Sequence, residues 1–368
     1  MRDSSSRTRL YAGGAGVIAL ALFGAFGPTN AGMVERWFSS GVYVYVQPAV
    51  TAATNLVPVA LLDVAAICAA IWLVRLWIRA LRSSPVEGRI PRAARAGFTM
   101  IAVAAAVYVA FLGLWGLNYR RVPLESQLVL DKPAPGTEAV IALGTKATQT
   151  LNELAAEAHR AGWAEPVWES PRLRQAAADV QARLGRPRTA QPGRLKATMF
   201  GQLFRWNGVD GMINPLGLEV LANPDLLPFE RPFVAAHEWA HLAGYADEAE
   251  ANFVGWLTCL RADVPAQYSG WLFLYWQVTG ELGAAERASV DRLLDAAPRR
   301  DLDAIVERLR RGDLPLLRRM SWAAYDQYLK ANRVDEGVRS YGAVLTLILR
   351  ARFEDGWVPV RRASAPSR

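Results

Sequence analysis

Residues 235–253 read AAHEWAHLAGYADEAEANF and hold two of the chain's three histidines, His237 and His241, with Glu238 between them. On an α-helix, positions i and i+4 stack on one face, so two imidazoles at this spacing can converge on one ion. The HExxH pattern adds a glutamate between the ligands' turns. There it acts as general base towards water whose pKa a zinc ion has lowered. The plainer alternative is two helix histidines with ordinary hydrogen bonds, and the acids downstream favour the metal. Pro232 opens the helix, Gly244 ends it, and a second helix starts near Asp247.

A catalytic zinc takes three protein ligands and keeps one position open. His159, the remaining histidine, sits among alanines and reads as a solvated helix residue. Three acids compete for the third place: Asp247, Glu248 and Glu250. Asp247 falls where the HExxHxxGxxH pattern has its last histidine, with Gly244 supplying the turn. Yet Asp247 is also a natural N-cap, and Glu250 three residues on completes a capping box, so one structural role accounts for both. Glu248 begins EAEAN (248–252), which sets Asn252 one turn further along the same face. The preferred ligand set is therefore His237, His241 and Glu248, with Asp247 and Glu250 as alternatives. Asn252 is placed to accept a hydrogen bond from the free ring nitrogen of His237. Glu238 takes a proton from water and returns it to a leaving amine. Tyr245, Tyr268, His159, Arg339 and Tyr341 are candidates for steadying the oxyanion.

The rest of the chain says where such a site sits. Of 368 residues, 52% are hydrophobic, high for a purely water-soluble enzyme. Apolar runs at 10–29, 55–78 and 97–119 read as three transmembrane helices, with Trp77, Trp115 and Tyr119 at their interfacial ends. Asp63 lies inside the second run, either as a polar contact in the helix bundle or near a helix end. The net charge of +8 gathers beside these runs. Arg75, Arg79, Arg82, Arg89, Arg92 and Arg95 flank the loop between spans two and three, while the first loop has only Glu35 and Arg36. The positive-inside rule then puts the N-terminus and the arginine-rich loop in the cytoplasm and the C-terminal domain outside it, in a bacterial inner membrane. No basic stripe interleaved with aromatics stands out, so nucleic acid is not an expected partner; the lipid bilayer and a peptide or protein substrate are. Cys68 and Cys259 lie too far apart in character for a disulfide, and no CxxC zinc site exists.

The expected architecture is mainly α with a small β part. Residues 1–121 form the three-helix membrane anchor, 122–360 an extracytoplasmic zincin-like α+β domain, and 361–368 a disordered tail. Helices are expected over 139–160 and 170–184, and a strand around LGLEVLAN (216–223). That strand is either an exposed edge for an extended substrate or an ordinary buried strand. HEWAH is not embedded in a long apolar run, which excludes an intramembrane protease.

Several segments resemble an uncharacterised bacterial membrane-protein family, domain of unknown function 3810. They are LWGLNYRRVPL (114–124), GVDGMINPLGLEV (208–220), HEWAHLAGYADEAEANF (237–253), QYSGW (267–271) and YDQYLKANRVDEGVRSYGAVLTLIL (325–349). The resemblance implies a three-helix anchor followed by a zincin-like peptidase domain, favours Glu248 or Glu250 over Asp247, and brings no substrate with it. The leading expectation is a membrane-anchored zinc peptidase using one Zn2+. The alternative is a non-catalytic scaffold or sensor that keeps such a fold. A third reading is a cell-wall-binding module with Trp256, Trp271, Tyr275 and Trp276 along a glycan groove.

Overall fold

Four helical segments precede the domain that carries HEWAH. The computed structural model describes residues 2–82, 89–130, 136–312, 314–332 and 343–362. The first helix, Arg2–Phe26, breaks at Gly27. The chain then bends by 111° into a second helical segment, Ala31–Asn55, which is π-helical over Val34–Val42. Leu61–Leu81 and Arg89–Leu114 follow, and both the first helix and Leu61–Leu81 pack on Arg89–Leu114. Two helices, Leu61–Leu81 and Ile90–Leu114, are each long and apolar enough to cross a membrane; the bent pair adds a third if it forms one span.

Two of the expected span limits move, for local reasons. The run at 55–78 becomes a helix only from Leu61, because residues 56–60 form a turn around Pro58. The helix is capped from a distance: the Glu219 carboxylate accepts from the N–H groups of Leu61 and Leu62 at 3.0 and 2.9 Å. Asp63 sits in the first turn, where its oxygens accept from Thr198 Oγ1 and Met199 N. The acid inside the apolar run thus ties the helix start to the domain. The run at 97–119 ends as an α-helix at Leu114 and passes into a 3-10 turn, Gly116–Arg120. Trp115 is only 4% exposed, so it belongs to the domain core rather than to an interfacial belt.

The first loop expected from sequence is the helix Ala31–Asn55. Its buried face is partly polar: Gln47 donates to the Gln191 carbonyl and Thr51 to the Leu218 carbonyl. Polar residues on the covered face invert the usual amphipathic signal, which is why the segment does not read as a packed helix.

The small sheet comprises β1 (Leu195–Lys196), β2 (Gly211–Asn214) and β3 (Glu219–Ala222), in the order β1-β3-β2. β3, the strand expected around LGLEVLAN, is central. It runs parallel to β1 and antiparallel to β2, with Met212 opposite Leu221, so both its edges are bonded and it offers none to a substrate. An edge belongs instead to β2. Beneath β3, Glu219 pairs with Lys196 at 2.7 Å, both side chains fully buried.

Helices form the rest of the domain. Thr137–Ala161 lies along Val264–Glu281, and Arg231–Leu242 packs on Glu248–Leu260. One core cluster gathers Leu151, Phe253, Trp256, Leu274 and Val344. A second joins Tyr43, Phe111 and Trp115 to Val220, Ala236 and Trp239, so the packing runs across residue 121. At the C-terminal end, β4 (Phe353–Glu354) and β5 (Val358–Pro359) form a hairpin that the sequence reading omitted. Its Trp357 packs edge-on against Trp256 and Trp271. Of the four aromatics expected along a glycan groove, Trp256, Trp271 and Tyr275 are core residues, and Trp276 is exposed. The expected tail starts too early: Arg361 bridges to Leu128, and Arg362 N donates to the Gln127 carbonyl. Residues 363–368, and residues 131–135 of the loop before Thr137, lie outside the described residues. Both cysteines are free, Cys259 buried and Cys68 exposed.

Candidate metal centre

The HEWAH helix runs Arg231–Leu242, with Pro232 in its first turn, where a missing N–H costs nothing. It stops because Gly244 takes a left-handed conformation, φ +87°, which a side chain would strain. Gly244 N donates back to His241 O, and Tyr245 N to Ala240 O. The reversal brings the Tyr245 carbonyl to 2.7 Å from His241 Nδ1. That contact fixes Nδ1 as the protonated nitrogen and turns Nε2 inward.

Asp247 caps the next helix, Glu248–Leu260, accepting from Glu250 N at 3.1 Å. The two helices meet closely at Gly255, where a Cβ would stand 3.0 Å from both Cα and N of His237. This close approach lets Glu248 reach the histidines. His237 Nε2 and His241 Nε2 are 3.1 Å apart, and Glu248 Oε2 lies 3.4 and 3.5 Å from them. Three donors bound about 2.05 Å from a tetrahedral centre stand about 3.3 Å apart, the size of this triangle. Gly255→Val, which drives a side chain into backbone that cannot rotate away, is expected to weaken zinc binding at least about tenfold. Gly255→Ala should cost less; a chelator-competition titration of both variants checks the order.

The structure distributes the other predicted residues differently. Glu250 accepts from Leu124 N, and burial pushes its carboxyl up to about 7 although Arg121 opposes the shift. His159 bonds Asp301 at 2.8 Å, and Tyr268 donates to the same carboxylate. Tyr245 is buried under the Arg121 guanidinium. None of the side chains of Glu250, His159, Tyr268 and Tyr245 lines either of the two cavities at the triangle, and Arg339 and Tyr341 lie outside the described residues. The hydrogen bond expected between His237 and Asn252 is not formed: among the described residues His237 Nδ1 and Asn252 Nδ2 are both buried without a partner.

Glu238 lies beside the triangle beneath β2, 2% exposed, with Oε2 unpaired among the described residues. A Cβ on Gly211 would come within 2.6 Å of its Oε1, so glycine leaves room for the carboxylate. Burial pushes the Glu238 carboxyl above the usual carboxylate range, and the two imidazoles offset this only in part. Glu248 goes the other way: burial opposes its charge, but His241 and His237 hold it well below that range. Burial likewise opposes a charge on His241, and Glu248 outweighs it, raising the imidazole to about 9. A metal ion must therefore displace a proton from His241 below that pH. Apparent zinc affinity is expected to rise with pH from about 6 to about 9, by up to about tenfold per unit, and then level off. A flat profile in competition titrations would contradict this.

Two cavities meet at these residues. One, about 310 Å³, is walled by Phe233, Leu272, Phe273, Trp276, Ile305 and Leu309. The other, about 530 Å³, is walled by Trp115, Tyr119, Phe204, Met212, Ile213 and Pro215. Both include His237, Glu238 and Gly211. Arg308, at the first cavity, bridges Asp210 and Glu230 at 2.9 and 2.6 Å. Sequence reasoning missed Arg308 and Tyr119, because neither has a local pattern and both arrive through tertiary packing.

The carbonyls at the end of the HEWAH helix are held from the N-terminal region. Trp115 Nε1 donates to His241 O at 2.9 Å, Tyr43 OH to Leu242 O at 2.8 Å, and Arg121 Nη1 to Gly244 O at 3.1 Å. These acceptors lie at and just beyond a helix end, and each receives a side chain from the segment before residue 122. Arg121 is itself fixed by Glu35 at 2.8 Å.

A family model described as a protein of unknown function, DUF3810, matches residues 38–349. The chain belongs to the DUF3810 family. No curated protein and no solved structure matches it. The DUF3810 match begins inside the bent helix and ends before the C-terminal hairpin, so it takes in Tyr43, Trp115 and Arg121 together with the whole triangle.

Proposed function

We propose that this DUF3810 chain is a membrane-anchored, zincin-like hydrolase that cleaves peptide bonds. One observation carries the reading: two imidazoles and a carboxylate converge in a triangle of ligand size, with a buried glutamate beside it. The donor set, two neutral nitrogens and one carboxylate oxygen, suits zinc with one position open. His237, His241 and Glu248 would hold the zinc ion, which when bound would supply Lewis acidity towards a carbonyl and a water. Glu238 accepts the proton of the attacking water at its carboxylate and delivers it to the leaving amine. A buried carboxylate oxygen without a partner costs about 1–3 kcal/mol, so stability gives no reason for it, and this favours an enzyme over a scaffold. The walls of the two cavities exclude water and hold the substrate's side chains. With the apolar helices spanning a bacterial inner membrane and the arginine-rich loop in the cytoplasm, the site faces outward.

The test is metal content of the full-length chain in detergent, by mass spectrometry, beside His241→Ala and Glu248→Ala. The expected result is about one zinc per chain in the wild type and loss in both variants. Folded wild-type protein that takes up no metal when zinc is offered would overturn the reading.

A further inference from the structure

The larger of the two cavities is built partly from the ends of the membrane-crossing helices. Trp115 and Tyr119 in its wall directly follow the helix that ends at Leu114. Phe204 and Val209, also in the wall, pack in one apolar cluster with Ala60 and Leu62, where Leu61–Leu81 begins. The Asp63 bonds to Thr198 and Met199 fix the same junction. Both helices therefore deliver their domain-facing ends to one opening.

The bent helix points the same way. It meets the first helix at 111°, and its Tyr43 packs in one apolar cluster with Trp115. Tyr43, Gln47 and Thr51 are buried on its domain side, while Trp37, Val42 and Tyr45 are exposed. In the wall of the opening, Leu203 and Met212 are exposed apolar residues. Met212 lies on β2, the strand whose edge passes Glu238.

We propose that the substrate is the juxtamembrane stretch of another membrane-anchored polypeptide, entering at the bilayer surface with bulky apolar side chains on both sides of the bond to be cut. This rests on the hydrolase reading above. The chain would lie along β2, one apolar side chain in the cavity bounded by Trp115 and Phe204, another in that bounded by Phe233, Phe273 and Trp276. Arg308 presents no free positive charge there, since it pairs with both Asp210 and Glu230. In the reaction the peptide C–N bond breaks; the hydroxyl of water goes to the acyl carbon and its proton, through Glu238, to the amine.

The test uses the full-length, zinc-loaded protein in vesicles of phosphatidylethanolamine and phosphatidylglycerol. Three synthetic polypeptides share one apolar membrane-spanning helix. The first carries a Leu/Phe-rich segment directly after the helix. The second carries it after a Gly–Ser spacer of about 25 residues, with a mean reach of about 28 Å. The third replaces Leu and Phe by Ser and Asp. Binding is read by energy transfer to Glu238→Gln, and cleavage by mass spectrometry of the wild type. At least tenfold tighter binding of the first over the other two is expected, with a similar loss in Leu203→Glu at the exposed rim. Equal binding of all three, or preference for the spaced or polar segment, overturns the proposal. Preferential binding without cleavage by the wild type supports the docking and overturns the hydrolase reading. Cleavage without preference does the reverse.

Discussion

Glu238→Gln is expected to keep its zinc and lose hydrolysis by roughly 10²–10⁴-fold. The substitution preserves the shape of a side chain that is almost fully buried, so packing on Gly211 and the ligand triangle is undisturbed. It removes the group proposed to take a proton from water and return it. The same change should leave the metal-free protein as stable as the wild type or more so. Burial already disfavours the Glu238 carboxylate, and an amide carries no charge to bury. Zinc content, thermal unfolding and peptide turnover together separate a chemical role from a structural one. Unchanged turnover with zinc bound would remove Glu238 from the reaction; lost zinc would make it part of the metal shell instead.

Cutting the chain at residue 122 is expected to destroy the metal centre, although HEWAH and Glu248 remain. The fragment 122–368 loses Tyr43, Trp115 and Arg121, and with them the side-chain donors to the carbonyls of His241, Leu242 and Gly244. It also loses Tyr43 and Trp115 from the cluster that packs on Ala236 and Trp239. Deleting one buried large aromatic costs about 3–5 kcal/mol, against a total of about 5–15 for a domain. Two such losses leave little margin. Zinc affinity of the fragment is expected to fall at least about 100-fold, or the fragment not to fold at all. In the full-length chain, Trp115→Phe keeps most of the packing and removes only the donor to His241 O, so a smaller drop with intact circular dichroism is expected. A fragment that folds and holds zinc as tightly as the whole would show that the N-terminal segments only tether the domain.

Legibility in the sequence followed how local each feature is. The HEWAH helix, the Asp247 cap and the long apolar runs depend on neighbours within a turn or two, and they read off the chain. The bent helix 31–55 did not, because its covered face is polar and its partners, the carbonyls of Gln191 and Leu218, lie far along the sequence. The β3 strand was visible as a strand, but its central place was not, since pairing with β1 and β2 is a tertiary fact. The expected Asn252 bond failed for a related reason: one helix face says where a residue points, and the crossing of two helices says what it meets.

His237, Glu238 and His241 share a face because 3.6 residues make a turn, and the sequence by itself determined that. It also determined that apolar helices precede them. Only the tertiary structure decided which of the three acids reaches the imidazoles. Glu248 does so because Gly255 lets the second helix close on His237, while Asp247 caps that helix and Glu250 turns to Leu124. It decided, too, that the last carbonyls of the ligand helix are held by Tyr43, Trp115 and Arg121. No local pattern encodes those contacts, because the helix end leaves its acceptors open and the fold supplies the donors.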